Sequence, residues 1–125
     1  VLNIGVIFLF LGGFFFTISY DTIYAFQDIK DDKKFGIKSF AIILENNSNK
    51  NIVSILFLSY FFFTLSLTQN ENLNLYLSLM LSLPILICFI IQFFLFKKKL
   101  YKIVFDSSAL TGLIISFVFL TTNYL

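Results

Sequence analysis

Polar and apolar residues are segregated along this chain in long blocks rather than alternating. Four apolar stretches, 1–20, 52–68, 75–96 and 107–125, are separated by polar connections at 21–51, 69–74 and 97–102. Each stretch runs to roughly 17 to 22 residues, which at about 1.5 Å per residue crosses a hydrocarbon core of about 30 Å with some tilt. The stretches are continuous and lack the period-two alternation that the wet interior of a barrel requires. In lipid every backbone polar group must be satisfied within the element, so the pattern predicts spanning helices. The expected fold is all-α, a polytopic membrane helix bundle with four transmembrane helices.

Composition agrees with this reading. Apolar residues make up 58% of the chain and aromatic residues 20%, more than a soluble domain tolerates on its surface. The charges are sorted as well. All nine basic residues are lysines, and they fall in the first connection (Lys30, Lys33, Lys34, Lys38, Lys50) and the third (Lys97, Lys98, Lys99, Lys102). Four spans put those two connections on the same side, so the positive-inside rule places both in the cytoplasm, or in the matrix of a mitochondrion, with Glu71 and Leu125 opposite. The bland function of Lys97, Lys98 and Lys99 is this topology signal together with contact to anionic headgroups. A net charge of +2 divided between two membrane-edge loops makes no continuous groove, so no nucleic-acid partner is expected. With neither His nor Arg, the chain offers no imidazole base and no guanidinium clamp. Cys88 is a lone thiol in an apolar span, with no partner for a disulfide or a soft metal site.

The chemistry concentrates at 20–32, YDTIYAFQDIKDD, where four carboxylates follow the first apolar stretch. On a uniform helix, offsets of 0, +7 and +11 place Asp21, Asp28 and Asp32 within a stripe about 40° wide. Lys30, Lys33 and Lys34 lie more than about 100° from Asp21 on that wheel, and Asp31 about 80°. Those lysines cannot be simple (i, i+4) partners of all three aspartates, and hard oxygen donors left open in this way suit Mg²⁺, which takes one or two carboxylates and completes its shell with water and phosphate oxygens. The competing reading is a solvated acidic loop.

These residues resemble the UbiA superfamily of intramembrane aromatic prenyltransferases, most closely the 4-hydroxybenzoate polyprenyltransferases. The second aspartate motif of that family reads DxxYAxQDxxDD, matched here by Asp21, Tyr24, Ala25, Gln27, Asp28, Asp31 and Asp32. A following GxKSTA signature is matched by Gly36, Lys38, Ser39 and Ala41, with Phe40 in place of the usual Thr. The resemblance implies a bundle of about nine helices, of which 1–125 would be the C-terminal portion and 20–41 the acidic cytoplasmic motif. It also implies a missing N-terminal half bearing an NDxxDxxxD motif, since no such segment occurs here and Val1 stands inside an apolar stretch. The implied residence is the bacterial or mitochondrial inner membrane.

The implied activity is transfer of a polyprenyl group from polyprenyl diphosphate to the ring of 4-hydroxybenzoate, in ubiquinone biosynthesis, with release of diphosphate. Asp28 and Asp32, with Asp21 nearby, would be the catalytic metal-binding carboxylates, and Mg²⁺ the cofactor. Tyr20, Tyr24, Gln27, Asp31, Lys38 and Ser39 would be substrate-binding residues, Lys38 holding a diphosphate or an aromatic carboxylate as a point charge. No general base is assigned. A menaquinone precursor or another aromatic acceptor would use the same chemistry. A transporter bundle would also gather acids at a membrane edge, but these spans carry no Asp, Glu or Lys at mid-depth to mark a pathway. Other features read as packing: thin faces at Gly5, Gly12 and Gly13 and at Ser108, Gly112 and Ser116, a bend at Pro84, and Gln92 placed to hydrogen-bond to a neighbouring helix. The nineteen Phe residues divide between lipid-facing filler and the walls of an isoprenoid cavity.

Overall fold

Asn3 opens the first helix, its side-chain oxygen accepting the Val6 N–H at 2.9 Å, an N-cap that satisfies one of the free donors of the first turn. The computed structural model describes residues 3–122, and contains no strand among them. Helix α1 (Ile4–Ala25) passes through a 3₁₀ turn (Phe26–Asp28) into the short α2 (Ile29–Lys34). A five-residue helix, α3 (Phe40–Leu44), follows, and then three long ones: α4 (Ser48–Thr68), α5 (Leu75–Lys97) and α6 (Tyr101–Thr121). The four long helices are each long and apolar enough to cross a membrane.

Three boundaries differ from the hydropathy pattern. α1 continues past Asp21 to Ala25, α4 starts at Ser48 and not at 52, and α6 starts at Tyr101 and not at 107. The pattern breaks at the first polar residue, whereas a helix continues for as long as one face is buried. Thr22, Ile23, Ile52 and Val104 are that face, and Ile23, Ile52 and Val104 have no exposed surface at all. The expected ends at 1–2 and 123–125 lie outside the described residues.

The long helices close a ring in the order α1, α4, α5, α6, with α1 and α4 the most extensively packed pair. Their interface is built on small residues at seven-residue spacing. Ser66 Oγ donates to the Gly5 carbonyl at 2.7 Å and Ser59 Oγ to the Gly12 carbonyl at 2.8 Å. The same antiparallel register brings Ser19 opposite Ile52, both fully buried. A Cβ on Gly12 would stand 2.8 Å from the Phe63 ring, so only glycine permits this approach, whereas one on Gly13 would meet nothing within 4 Å. Phe63 then reaches across the bundle, its ring 6.5 Å from Phe89 of α5 and 6.0 Å from Phe119 of α6. Gly112 on α6 also faces the Phe16 ring, but at 3.9 Å, a distance that leaves room for a Cβ, and Ser108 beside it is buried. The buried aromatics Phe16, Phe63, Phe89 and Phe96 are therefore core, while Phe10, Phe57 and Phe117 face outward.

Gln92 departs from expectation. It is buried in α5 with 1% of its surface exposed, and neither amide atom has a hydrogen-bond partner among the described residues. The reason is its setting, one helical turn from both Phe89 and Phe96 on the face of α5 that joins the apolar core.

Candidate functional site

The acidic segment forms an arm that bridges the lysine-side ends of α1 and α4, and each bend has a local cause. Phe26 docks into the α5–α6 turn, its ring 5.2 Å from Phe96 and 5.8 Å from Tyr101, and Ile29 is buried after it. Holding both residues inward tightens the chain between them into the 3₁₀ turn. Phe35 then caps α2, and Gly36 takes φ +71 while the Ile37 N–H reaches the Asp32 carbonyl at 2.8 Å and the Gly36 N–H the Lys33 carbonyl at 3.3 Å. This is a Schellman C-cap, and it accounts for glycine at the head of the second signature. Ser39 Oγ accepts the Ile42 N–H at 3.4 Å and so caps α3, while Ala41 is buried. Asn51 closes the arm by donating from Nδ2 to the carbonyls of Leu44 and Asn46, both at 3.1 Å. Lys33 pairs with Glu45, tying α2 to the end of α3.

The 3₁₀ turn changes the geometry of the acidic face. Three residues advancing about 120° each, in place of about 100°, rotate Asp28 and Asp32 by some 60°, to about 40° and about 80° from the Asp21 direction. The 40° stripe of a uniform helix is thus not realised. No group of three acidic, cysteine or histidine side chains among the described residues is arranged to hold one metal ion. Asp28 and Asp32 remain one helical turn apart across the start of α2, Asp28 at the N-cap position with no side-chain capping bond. Asp28, Asp31, Gln27 and Lys38 are exposed and Asp32 is half-buried. Among the described residues the one ion pair is Lys33 with Glu45, and none of these aspartates takes part in it.

Asp21 lies earlier, on α1, beside the two tyrosines. The Tyr20 ring stands 5.1 Å from Phe16 and 5.8 Å from Phe105, and the Tyr24 ring 4.5 Å from Phe105. This aromatic ladder borders a cavity of about 470 Å³ between α1 and α6, lined by Phe16, Tyr20, Phe105, Asp106, Ser108 and Gly112 among others. Sequence reasoning passed over Asp106 because it falls between the lysine cluster and the last apolar block and belongs to no motif. Glu45, in the polar connection 21–51, belongs to no motif either. The arrangement can do two things chemically. It offers a pair of hard, unpaired oxygen donors on the arm and, separately, an aromatic-walled cleft between α1 and α6.

A family model for UbiA prenyltransferases matches residues 1–106, the greater part of the chain. The chain belongs to the UbiA prenyltransferase family. Among curated relatives, the 4-hydroxybenzoate octaprenyltransferase of Haemophilus ducreyi is 45% identical over 51 residues, 41% of this chain and 18% of that protein. The mitochondrial 4-hydroxybenzoate polyprenyltransferase of Mus musculus is 45% identical over 42 residues, 34% of this chain and 11% of the relative. The 4-hydroxybenzoate geranyltransferase 2 of Lithospermum erythrorhizon is 59% identical over 34 residues, 27% and 11% of the two chains. Each match thus covers less than a fifth of the relative's length. No solved structure matches. Within this UbiA chain the second signature divides by role: Gly36, Ser39 and Ala41 shape the arm, and Phe40, where the family usually carries Thr, opens α3 with an exposed ring.

Proposed function

We propose that the protein transfers a polyprenyl group from polyprenyl diphosphate to the aromatic ring of 4-hydroxybenzoate, with Mg²⁺ as cofactor and release of diphosphate. The observation that carries this reading is the free pair Asp28 and Asp32: carboxylates one turn apart, uncapped and unpaired, on an arm anchored by Phe26, Gly36, Ser39 and Asn51. Family membership supports the chemistry, and the relatives' names share the acceptor while the prenyl group differs. Two oxygen donors with room around them fit a small hard cation that keeps waters and takes phosphate oxygens. When bound, it would supply charge neutralisation for the departing diphosphate.

The chain's own residues do the positioning. Asp28 and Asp32 fix where the diphosphate must lie, at the rim of the bundle and outside the apolar core. Lys38, on the exposed turn between α2 and α3, adds a point charge for an anionic substrate group. Tyr20 lines the α1–α6 cleft and Tyr24 packs on Phe105 at its border, offering aromatic surface for a flat acceptor. Asp21 and Asp31 flank these groups, and Gln27 offers an exposed amide. The segregated lysines support a cytoplasmic or matrix position for the arm, and ubiquinone synthesis is the pathway proposed from the shared acceptor. In the intact protein, diphosphate release that requires both 4-hydroxybenzoate and Mg²⁺ tests the reading. Release that proceeds equally without acceptor or divalent cation overturns it.

A further inference from the structure

A second groove lies on the opposite side of the ring, between α4 and α5. It encloses about 370 Å³ and is lined on α4 by Val53, Phe57 and Tyr60 and on α5 by Leu86, Ile90 and Phe93 among others. From Val53 to Tyr60 it runs about 10 Å along the helix axis. Its deep end is sealed by Tyr60, whose hydroxyl is 2.9 Å from Ser82 Oγ, so the polar atoms there satisfy each other and leave an apolar wall.

Its mouth is cationic. The Lys97 ammonium lies 5.8 Å from the centroid of the Phe93 ring, folded back over a lining residue of the groove. Lys98 and Lys99 follow in the turn, and Lys99 occupies a left-handed position at φ 60, with its N–H on the Phe96 carbonyl and the Leu100 N–H on the Leu95 carbonyl. Glycine is the ordinary residue at that place in such a cap, so a charged side chain is kept where it strains the backbone. On the facing helix the register that pairs Tyr60 with Ser82 sets Lys50 level with the Gln92–Phe93 turn, and Lys50 precedes Val53 by one turn on the same side. The one ion pair among the described residues is elsewhere, between Lys33 and Glu45, so the charge of these four lysines is not neutralised within the chain.

We propose that this groove and its lysine mouth form a binding site for one anionic phospholipid, with the phosphate at Lys97 and Lys50 and the upper part of an acyl chain along Phe93, Ile90 and Leu86. An apolar slot alone would take any lipid tail. The concentration of uncompensated ammonium groups at one end selects the negatively charged headgroup, each lysine near the surface contributing about a fivefold preference.

The chain contains no Trp, which makes a local fluorescence test available. The intact protein carrying Phe93→Trp is reconstituted in vesicles in which either phosphatidylglycerol or phosphatidylcholine bears brominated acyl chains. Brominated phosphatidylglycerol should quench at a mole fraction at least about fivefold lower than brominated phosphatidylcholine. The gap should shrink to less than about twofold in the Lys50→Gln/Lys97→Gln background. Ile90→Trp serves as a second reporter should Phe93→Trp perturb packing. Ile103→Trp, exposed at the same end of the bundle on α6, reports the general rim. Equal quenching by the two lipids at Phe93→Trp and Ile90→Trp overturns the proposal. So does the same preference at Ile103→Trp, or the absence of quenching by either lipid, which would mean that another protein segment fills the groove.

Discussion

Asp28 occupies a position that in most helices serves the backbone, yet its carboxylate caps nothing, which leaves it free for the metal-binding role proposed above. In the intact protein, Asp28→Asn or Asp32→Asn should lower prenyl transfer by roughly 100-fold or more and raise the Mg²⁺ needed for half-maximal rate. Lys33→Ala is the comparison. It removes an exposed pair with Glu45, so stability should change by no more than about 1 kcal/mol and turnover only a few-fold. Equal effects of Asp28→Asn and Lys33→Ala across a Mg²⁺ titration would reduce the aspartates to a solvated face. Residue identities at this site were legible in the sequence, because a carboxylate's chemistry travels with its name. Their mutual geometry was not, since the chain turns where Phe26 finds partners on α5 and α6 and Ile29 is buried, which no local pattern announces.

At the scale of elements, small residues decide where helices meet and where they stop. Gly12→Ala should destabilise the protein by about 1 to 3 kcal/mol in a detergent melt, because its methyl would enter the Phe63 ring, whereas Gly13→Ala should be close to neutral. An equal shift for both would refute the α1–α4 packing described above. Ser39→Ala should cost about 1 kcal/mol and speed amide exchange across α3, and Ser39→Asp should restore most of it, since either side chain can accept the Ile42 N–H. A substrate-binding hydroxyl would not be replaced by a carboxylate beside a diphosphate, so the activity of Ser39→Asp separates capping from binding. The sequence displayed four spans and their order, but the starts of α4 and α6 lay hidden behind Lys50, Lys102 and Asp106. Those side chains reach outward while Ile52 and Val104 are buried, and burial sets where the helix begins.

For the whole molecule, the segregated lysines make a topological statement that a labelling experiment can read. In a Cys88→Ala background, Asn72→Cys and Lys98→Cys should react with an impermeant maleimide from opposite faces of the membrane. Labelling of both from one face would remove the four-span arrangement, and with it the placement of the acidic arm beside the lysines. The seven-residue register between α1 and α4 bears on how this arm works. The arm leaves one of these helices and returns through the other, so the Gly5–Ser66 and Gly12–Ser59 contacts, though distant from its roots, fix the register of the two helices that carry it. A slip of a single residue would break both serine–carbonyl bonds at once. The span that the arm must bridge is therefore set before any ligand arrives, and the entropy of closing that loop is charged to folding and not to binding. Loosening the clamp far from the aspartates, as Ser59→Ala with Ser66→Ala would do, should show itself as weaker substrate capture with the chemistry of each bound encounter intact.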